Sequence, residues 1–223
     1  MFNGTKTRPP GEFDRVMEGS GGRNNAYTSS DVTVYQNWFP ASVTSLIFDL
    51  ESDRMRNLDF DAGKVESERG VVFSERRSSV DNDNFGTLLE QMQATAFVAH
   101  PYQIPIIGWP SDIEGWKVAD LQDYYHQYYA PNNAVMFIVG DVDPEAVFKL
   151  ADQYLAGIPA QPAPPAVTTK EPPQLGERRL RIERDAQTPL FFRSSPIVGP
   201  TISRLRTSKA PILAAFSAAS TCF

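Results

Sequence analysis

The sequence has 223 residues, enough for one large or two modest hydrophobic cores. Hydrophobic residues make up 41% and charged residues 22%, which excludes a wholly disordered chain. The formal charge of −6 argues against a phosphate-binding nucleic-acid surface. The single cysteine, Cys222, excludes an internal disulfide framework and a multi-cysteine metal site. No apolar run approaches the ~20 residues of a membrane span, so the chain as written is expected to be soluble, with its compartment left open.

The first quarter of the sequence predicts a short helix, a stretch of extended chain and a longer amphipathic helix. The short helix falls within residues 9–22 and ends at a group of glycines. β-Branched and aromatic residues favour extended structure from Arg23 onward, with a strand over 32–39. Residues 41–57 follow as a helix whose apolar face should pack on the sheet. Its charged side chains are expected to lie largely off that face: Asp49, Glu51, Asp53 and Arg56.

The next predicted helix, over residues 62–79, has acids on its apolar stripe. The three-and-four spacing that defines one helical face selects five positions: Val65, Glu68, Val72, Glu75 and Ser79. Seven residues separate the two glutamates, which places them roughly 10 Å apart, too far to share one metal ion or one proton. If they are buried, each needs its own cation, metal or hydrogen-bond donors. The alternative is a solvated charged face.

The middle of the sequence continues with helices and one strand. Residues 85–99 and 118–129 predict helices, separated by a loop over 100–110 whose prolines exclude a helix. The run 134–139 is strongly hydrophobic and predicts a central strand buried on both faces. A helix over 143–155 begins with an N-cap acid followed by proline.

A change of composition after residue 159 marks a domain boundary. A first domain over 1–159 is followed by a proline-rich linker over 160–176. Residues 177–185 alternate apolar and charged side chains and predict one edge strand, and the tail after about residue 190 is expected to be irregular. The predicted fold is therefore α+β, with a mostly antiparallel sheet covered by helices on one face and the beginning of a second, similar domain within 177–223.

Several short segments, taken together and in this order, resemble the insulinase/pitrilysin family of zinc metallopeptidases. That family includes the mitochondrial processing peptidases, and its hallmark is an inverted H-x-x-E-H motif. The resemblance runs from Met1 to about Pro159. Its segments are Phe2-Asn-Gly-Thr5, Asn25-Ala-Tyr-Thr28, Glu68 with Glu75, His100-Pro-Tyr102 with Ile107-Gly-Trp109, and Tyr128-Tyr-Ala-Pro-Asn-Asn-Ala134 with the apolar strand that follows it.

The resemblance implies a role for four residues and for one metal. Glu75 corresponds to the glutamate that completes a zinc site with two histidines, and Glu68 to an acid that supports the reaction. Asn25 and Ala26 correspond to edge-strand residues that pair with an extended peptide substrate, although Asn25 alone is also typical of a turn. The implied partners are such a peptide and a second half of the peptidase or a partner subunit.

The sequence departs from the family pattern at the zinc motif. In the family, the segment that resembles Phe2-Asn-Gly-Thr5 comes directly after H-x-x-E-H, and these 223 residues contain no such motif. Since a catalytic zinc normally has three protein ligands and a base near its water, Glu75 alone is not expected to hold the metal tightly. Neither His100 nor His126 is expected to rebuild the site. A start codon placed too late and a truncated or frameshifted end would explain the two ends of the chain.

Two functions follow from this sequence. The first is a fragment of a zinc-dependent metalloendopeptidase, expected to be inactive by itself. The second is a non-catalytic structural or partner-binding relative of the same family. Because Glu68, Glu75 and the Asn25-Ala26 pair are retained, the first is favoured. The substrate and the oligomeric state are left open by the sequence.

Overall fold

The computed structural model describes residues 3–193 and 212–219, the latter as backbone only. These residues form two compact units. The described part of the first contains 3–64, 118–165 and 212–219, and that of the second contains 65–117 and 166–193. The helices are α1 (Glu12–Gly19), α2 (Thr44–Asn57), α3 (Ala62–Arg76), α4 (Asn84–Ala96), α5 (Pro110–Gly115), α6 (Val118–Tyr128) and α7 (Pro144–Leu155). The strands are β1 (Arg23–Thr28), β2 (Thr33–Pro40), β3 (Ala134–Gly140) and β4 (Ile212–Ala219).

The first unit contains a four-stranded sheet in the order β1-β2-β4-β3. β1 and β2 form an antiparallel hairpin, in register from Arg23 opposite Trp38 to Thr28 opposite Thr33. β4 lies between β2 and β3 and pairs with both in parallel. The α+β class is confirmed, and the sheet is mixed because both pairings of β4 are parallel.

Helices α1 and α2 cover one face of this sheet. Their buried side chains meet strand residues in a single apolar core, formed by Phe13, Met17, Phe39, Ile47 and Leu50. Met136 and Ile138 of β3 pack against the same core. Just after α6, the Tyr129 hydroxyl lies 2.6 Å from the Tyr35 hydroxyl of β2. The predicted arrangement of helices on one sheet face agrees with these contacts.

Two strand predictions need correction. The apolar run 134–139 predicts a central strand buried on both faces, but β3 is an outer strand of the sheet. Its alternate side chains Val135, Phe137 and Val139 are 43%, 51% and 67% exposed. A short apolar run does not reveal how many of its faces are covered, which depends on the neighbouring elements.

The tail expected to be irregular contains strand β4 over Ile212–Ala219. The alanines and serine of this segment have little intrinsic β-propensity, so backbone pairing with β2 and β3 decides its conformation. Residues 194–211 and 220–223 of the same predicted tail lie outside the described residues. The domain limits proposed from composition stay a prediction.

Helix α2 also differs from its prediction, because two acids expected off the core are buried. Glu51 is 9% exposed and Asp53 is 7% exposed, whereas Arg56 is exposed. The Glu51 carboxylate accepts hydrogen bonds from Asn37 Nδ2 at 2.8 Å and from Arg54. Burial is tolerated because the neighbouring elements supply donors to each carboxylate.

The second unit is built on α3, α4 and α5. After Arg76 the chain makes a π-helical turn over Arg77–Asp81, and α4 begins behind the N-cap Asp83. A Cβ atom at Gly86 would lie 1.9 Å from the carbonyl oxygen of Ser79, so glycine is required where the first turn of α4 meets the π turn. The predicted strand at 177–185 is wrong, since the chain there forms no strand and pairs with no strand of the described residues.

Over residues 3–193 and 212–219, no helix has the length and apolar character needed to cross a membrane.

Candidate functional site

Strand β1 has an open edge. Within the described residues it pairs only with β2, so the backbone groups on its other side have no strand partner. The Ser29 N–H donates a hydrogen bond to Val32 O and closes the hairpin. This bond fixes which residues of β1 direct their backbone groups toward β2. In an antiparallel pair every second residue points its N–H and C=O away from its neighbour. Counting back from Ser29, the outward-pointing residues are Asn24, Ala26 and Thr28.

Both residues implied to bind substrate lie on this edge strand. The Ala26 N–H donates a hydrogen bond of 2.8 Å to Oδ1 of Asn25, which fits an N–H that points away from β2. Asn25 is exposed and Ala26 is partly buried. The Asn24 side chain, which was not predicted to belong to the site, donates a bond of 2.8 Å to Asp14 on α1 and ties the strand to that helix. The structure therefore places Asn25 and Ala26 where an added strand could reach them.

The two glutamates of α3 are exposed, and the buried residues of that helix are Val65 and Arg76. The predicted stripe is thus only partly buried, and its acids form the solvated face that was the alternative interpretation. The Glu75 backbone carbonyl accepts bonds from the hydroxyls of Ser78 and Ser79 at the end of the helix. An exposed carboxylate needs no internal partner, which removes the cost expected for a buried one.

Two arginines occupy the inner side of α3. Arg69 donates to the backbone carbonyls of Ile113, Glu114 and Trp116 and so holds the end of α5. Arg76 donates to both carboxylate oxygens of Glu90 at 2.6 and 3.1 Å, and this hydrogen bonding raises the pKa of Arg76. Neither arginine is among the residues indicated by the sequence, although they repeat at the same seven-residue interval as the two glutamates.

Within residues 3–193, neither histidine belongs to a group of side chains that could hold a metal ion. In the second unit, Nδ1 of His100 accepts the Tyr102 N–H at 3.3 Å and its ring contacts the Tyr102 ring. In the first unit, the His126 ring lies 5.7 Å from that of Tyr125. Among the side chains of residues 3–193, no three His, Cys, Asp or Glu groups come together in a way that could hold a metal ion. A zinc ion with three protein ligands does not fit the residues described.

A further cluster of the first unit fixes the segment after Gly4, and no sequence signal indicated it. The Asp53 carboxylate accepts hydrogen bonds from the side chains of Thr5 (2.6 Å), Thr7 (2.7 Å) and Asn57 (2.7 Å). A guanidinium nitrogen of Arg8 lies 2.7 Å from the same carboxylate. Burial alone would raise the pKa of Asp53, but these four donors outweigh it and the pKa is lowered. The ionised Asp53 carboxylate therefore helps to anchor the segment to α2, together with the ion pair between Arg8 and Asp49.

Two family models match the chain. Residues 1–109 match the insulinase family, peptidase family M16, and residues 115–193 match the peptidase M16 inactive domain. The chain belongs to the insulinase family (M16), whose active members are zinc metallopeptidases.

Among curated proteins, a zinc protease named PqqE from Helicobacter pylori is 33% identical over 218 residues, covering 92% of this chain and 49% of that protein. Human cytochrome b-c1 complex subunit 1, mitochondrial, is 27% identical over 199 residues, covering 89% and 41%. The crystal structure of a protease from Helicobacter pylori superposes with a TM-score of 0.70 at 31% identity, covering 77% of this chain and 42% of that one. The chain spans about half the length of the curated relatives it matches, or less.

Proposed function

We propose that this chain is part of a zinc metalloendopeptidase and binds an extended peptide as a strand added to β1. The open edge of β1, with the outward N–H of Ala26 beside Asn25, is the observation that carries the proposal. A peptide bound in this way gains main-chain hydrogen bonds that do not depend on its sequence, which suits an endopeptidase. The family relationship supports the assignment.

The roles of the individual residues follow the same proposal. Asn25 and Ala26 bind the peptide, Glu75 supplies one ligand of a zinc site, and Glu68 is a supporting acid. The exposure of both glutamates supports these roles, because groups from elsewhere could reach them. The other zinc ligands and the base would come from outside these 223 residues. We infer that the chain does not hydrolyse peptides by itself.

Hydrogen exchange tests the binding mode. An unstructured peptide rich in valine and threonine, blocked at both ends, should slow amide exchange at Asn24, Ala26 and Thr28 and leave Asn25 and Tyr27 unchanged, because only the former point outward. A control peptide with alternate backbone nitrogens methylated should have no effect, since it cannot complete the ladder. Equal protection along β1, or protection by the methylated peptide, would overturn the proposed pairing.

An activity assay tests the second part of the proposal. The purified 223-residue chain, supplied with zinc and an unstructured peptide, should show no turnover above a heat-denatured control. Turnover that a chelator abolishes would contradict it, because a working metal site would then lie within the chain.

A non-catalytic, partner-binding role is the second candidate. Two observations favour it: the match of residues 115–193 to an inactive domain, and the exposed side chains Val135, Phe137 and Val139 on the uncovered face of β3. Light scattering tests binding through this face if the chain is mixed with a separately expressed second half of the Helicobacter pylori protease, and the activity assay above then separates a peptidase from a non-catalytic relative. A complex that a Phe137→Ser variant weakens and a Phe148→Ser variant leaves intact would support partner binding through this face.

A further inference from the structure

Residues 98–100 of the second unit present three consecutive backbone donors to one carboxylate. The N–H of Val98 donates to Oε1 of Glu171 at 2.8 Å, and those of Ala99 and His100 donate to Oε2 at 3.0 and 2.9 Å. Successive N–H groups that converge in this way form a concave anion site. Both oxygens of Glu171 therefore accept hydrogen bonds from the backbone of a loop that follows α4.

A positive charge lies beside the same carboxylate. An Arg178 nitrogen is 3.9 Å from Oε1 of Glu171, and the guanidinium also donates to the carbonyl oxygens of Thr95 (2.9 Å) and Ala96. These carbonyls belong to the last turn of α4, which has no intrahelical donors for them. Arg178 therefore caps the carboxyl end of α4 and also stabilises the negative charge of the Glu171 carboxylate.

Further contacts hold the following segment along α4. Arg184 donates to the carbonyl oxygen of Asp81 at 2.5 Å and contacts the Thr87 hydroxyl. The Asn84 side chain donates to the carbonyl of Asp185 at 2.9 Å. Contacts from Glu171 and Arg178 reach the carboxyl end of α4, and those from residues 184 and 185 reach its amino end. The segment therefore runs antiparallel to the helix, although the sequence predicts a linker over 160–176 and an edge strand over 177–185.

We propose that the backbone of Val98–His100 is a carboxylate-binding site which Glu171 fills in cis, so that Glu171 and Arg178 latch the proline-rich segment onto α4. The ligand class is a carboxylate, either of the chain itself or of a small anion when Glu171 is removed. The hydrogen bond from His100, followed by those from Val98 and Ala99, lowers the pKa of Glu171, as expected for a bound carboxylate. This site is independent of the proposed peptide edge on β1.

Limited proteolysis of the full chain tests the latch. Trypsin needs a free arginine side chain, and the Arg178 side chain is 26% exposed whereas that of Arg181 is 86% exposed. In Glu171→Ala, cleavage after Arg178 should rise about tenfold relative to cleavage after Arg181, because the charge-assisted bonds are lost. Glu177→Ala removes an exposed carboxylate that pairs with Arg179 and serves as the matched control, with no expected change. An unchanged cleavage ratio in Glu171→Ala would overturn the latch.

Amide exchange with added anions tests the carboxylate site. In Glu171→Ala, the amides of residues 98–100 should exchange faster than in the original chain, and sodium acetate should slow them again while sodium chloride at equal ionic strength should not. In the original chain, acetate should have no effect because Glu171 occupies the site. Failure of acetate to protect these amides in the variant would overturn the proposed site. Unchanged circular dichroism of the variant would confirm that the fold is retained.

Discussion

Helices α2 and α3 both carry acidic residues at regular intervals, but the acids of the two helices differ in burial. On α2, Glu51 and Asp53 are expected from the sequence to lie outside the core, yet they are buried. On α3, Glu68 and Glu75 lie on the predicted apolar stripe and are exposed. The pattern of apolar residues along each helix therefore does not determine where its carboxylates lie.

The difference follows from the donors that surround each helix. Around α2, side chains distant in sequence supply hydrogen bonds to the carboxylates: Asn37 to Glu51, and Thr5, Thr7 and Arg8 to Asp53. On the inner side of α3, arginines take the inward positions and bind backbone carbonyls and Glu90. A carboxylate is buried where donors converge on it, and it stays in solvent where they do not.

The largest effect is expected from breaking the buried pair of α2. Glu51→Ala leaves the Arg54 guanidinium, in a residue only 2% exposed, without its carboxylate partner. The free energy of unfolding should fall by about 3 kcal/mol in urea denaturation, because a buried guanidinium loses its ion pair with Glu51. A double variant, Glu51→Met with Arg54→Met, should recover only part of this loss. The new apolar side chain on α2 would keep contact with Phe13, but the buried Asn37 amide would still lack the acceptor that Glu51 provides. A loss below about 1 kcal/mol in the single variant would mean that the pair is solvated.

A smaller effect is expected at Asp53. Asp53→Asn removes the charge that holds Thr5, Thr7 and Arg8, and should lower the free energy of unfolding by about 2 kcal/mol at neutral pH. Because folding lowers the pKa of Asp53, its contribution is present above the unfolded pKa of about 3.9 and is lost as pH falls through the folded value. The difference between the variant and the original chain should therefore shrink below about pH 4.

Asp49→Asn is the matched control for Asp53. Its side chain is 42% exposed and pairs with the same Arg8, so its loss should cost less than about 0.5 kcal/mol. Equal effects of the two variants would show that Arg8 alone, and not the convergence of donors on Asp53, anchors the segment.

The smallest effects are expected on α3. Glu68→Gln and Glu75→Gln should each change the free energy of unfolding by less than about 0.5 kcal/mol, because both side chains are exposed. Thermal unfolding followed by circular dichroism is sufficient to measure this. A change above about 1 kcal/mol in either direction at Glu75 would indicate a charged group close to it. It would contradict the conclusion that the α3 acids, unlike those of α2, lie in solvent.

Much of the fold could be predicted from the sequence because its signals are local. The N-cap acid and proline before α7, the glycines after α1 and the amphipathic spacing of α2 each act within one or two turns of chain. The hairpin of β1 and β2 follows from β-branched and aromatic residues in the same way. The strand β4 could not be predicted, since its pairing partners lie more than 70 residues away.

The candidate site was predicted only in part. The order of motifs indicates the residues Asn25, Ala26, Glu68 and Glu75, and the family relationship agrees with that order. Which backbone groups of β1 face outward depends on the register of the hairpin. The anchor on Asp53 and the carboxylate site at residues 98–100 depend on contacts between segments about 45 and 70 residues apart, which leave no local pattern.

The sequence by itself determined the family, the α+β class and most helix boundaries, because motif order, capping and periodicity act over short stretches of chain. Only the tertiary structure decided which charges are buried, which edge of the sheet is open and where the proline-rich segment lies. Those outcomes depend on donors and acceptors that come together from distant segments. The α3 glutamates therefore lie in solvent, whereas Glu51 and Asp53 of α2 are enclosed.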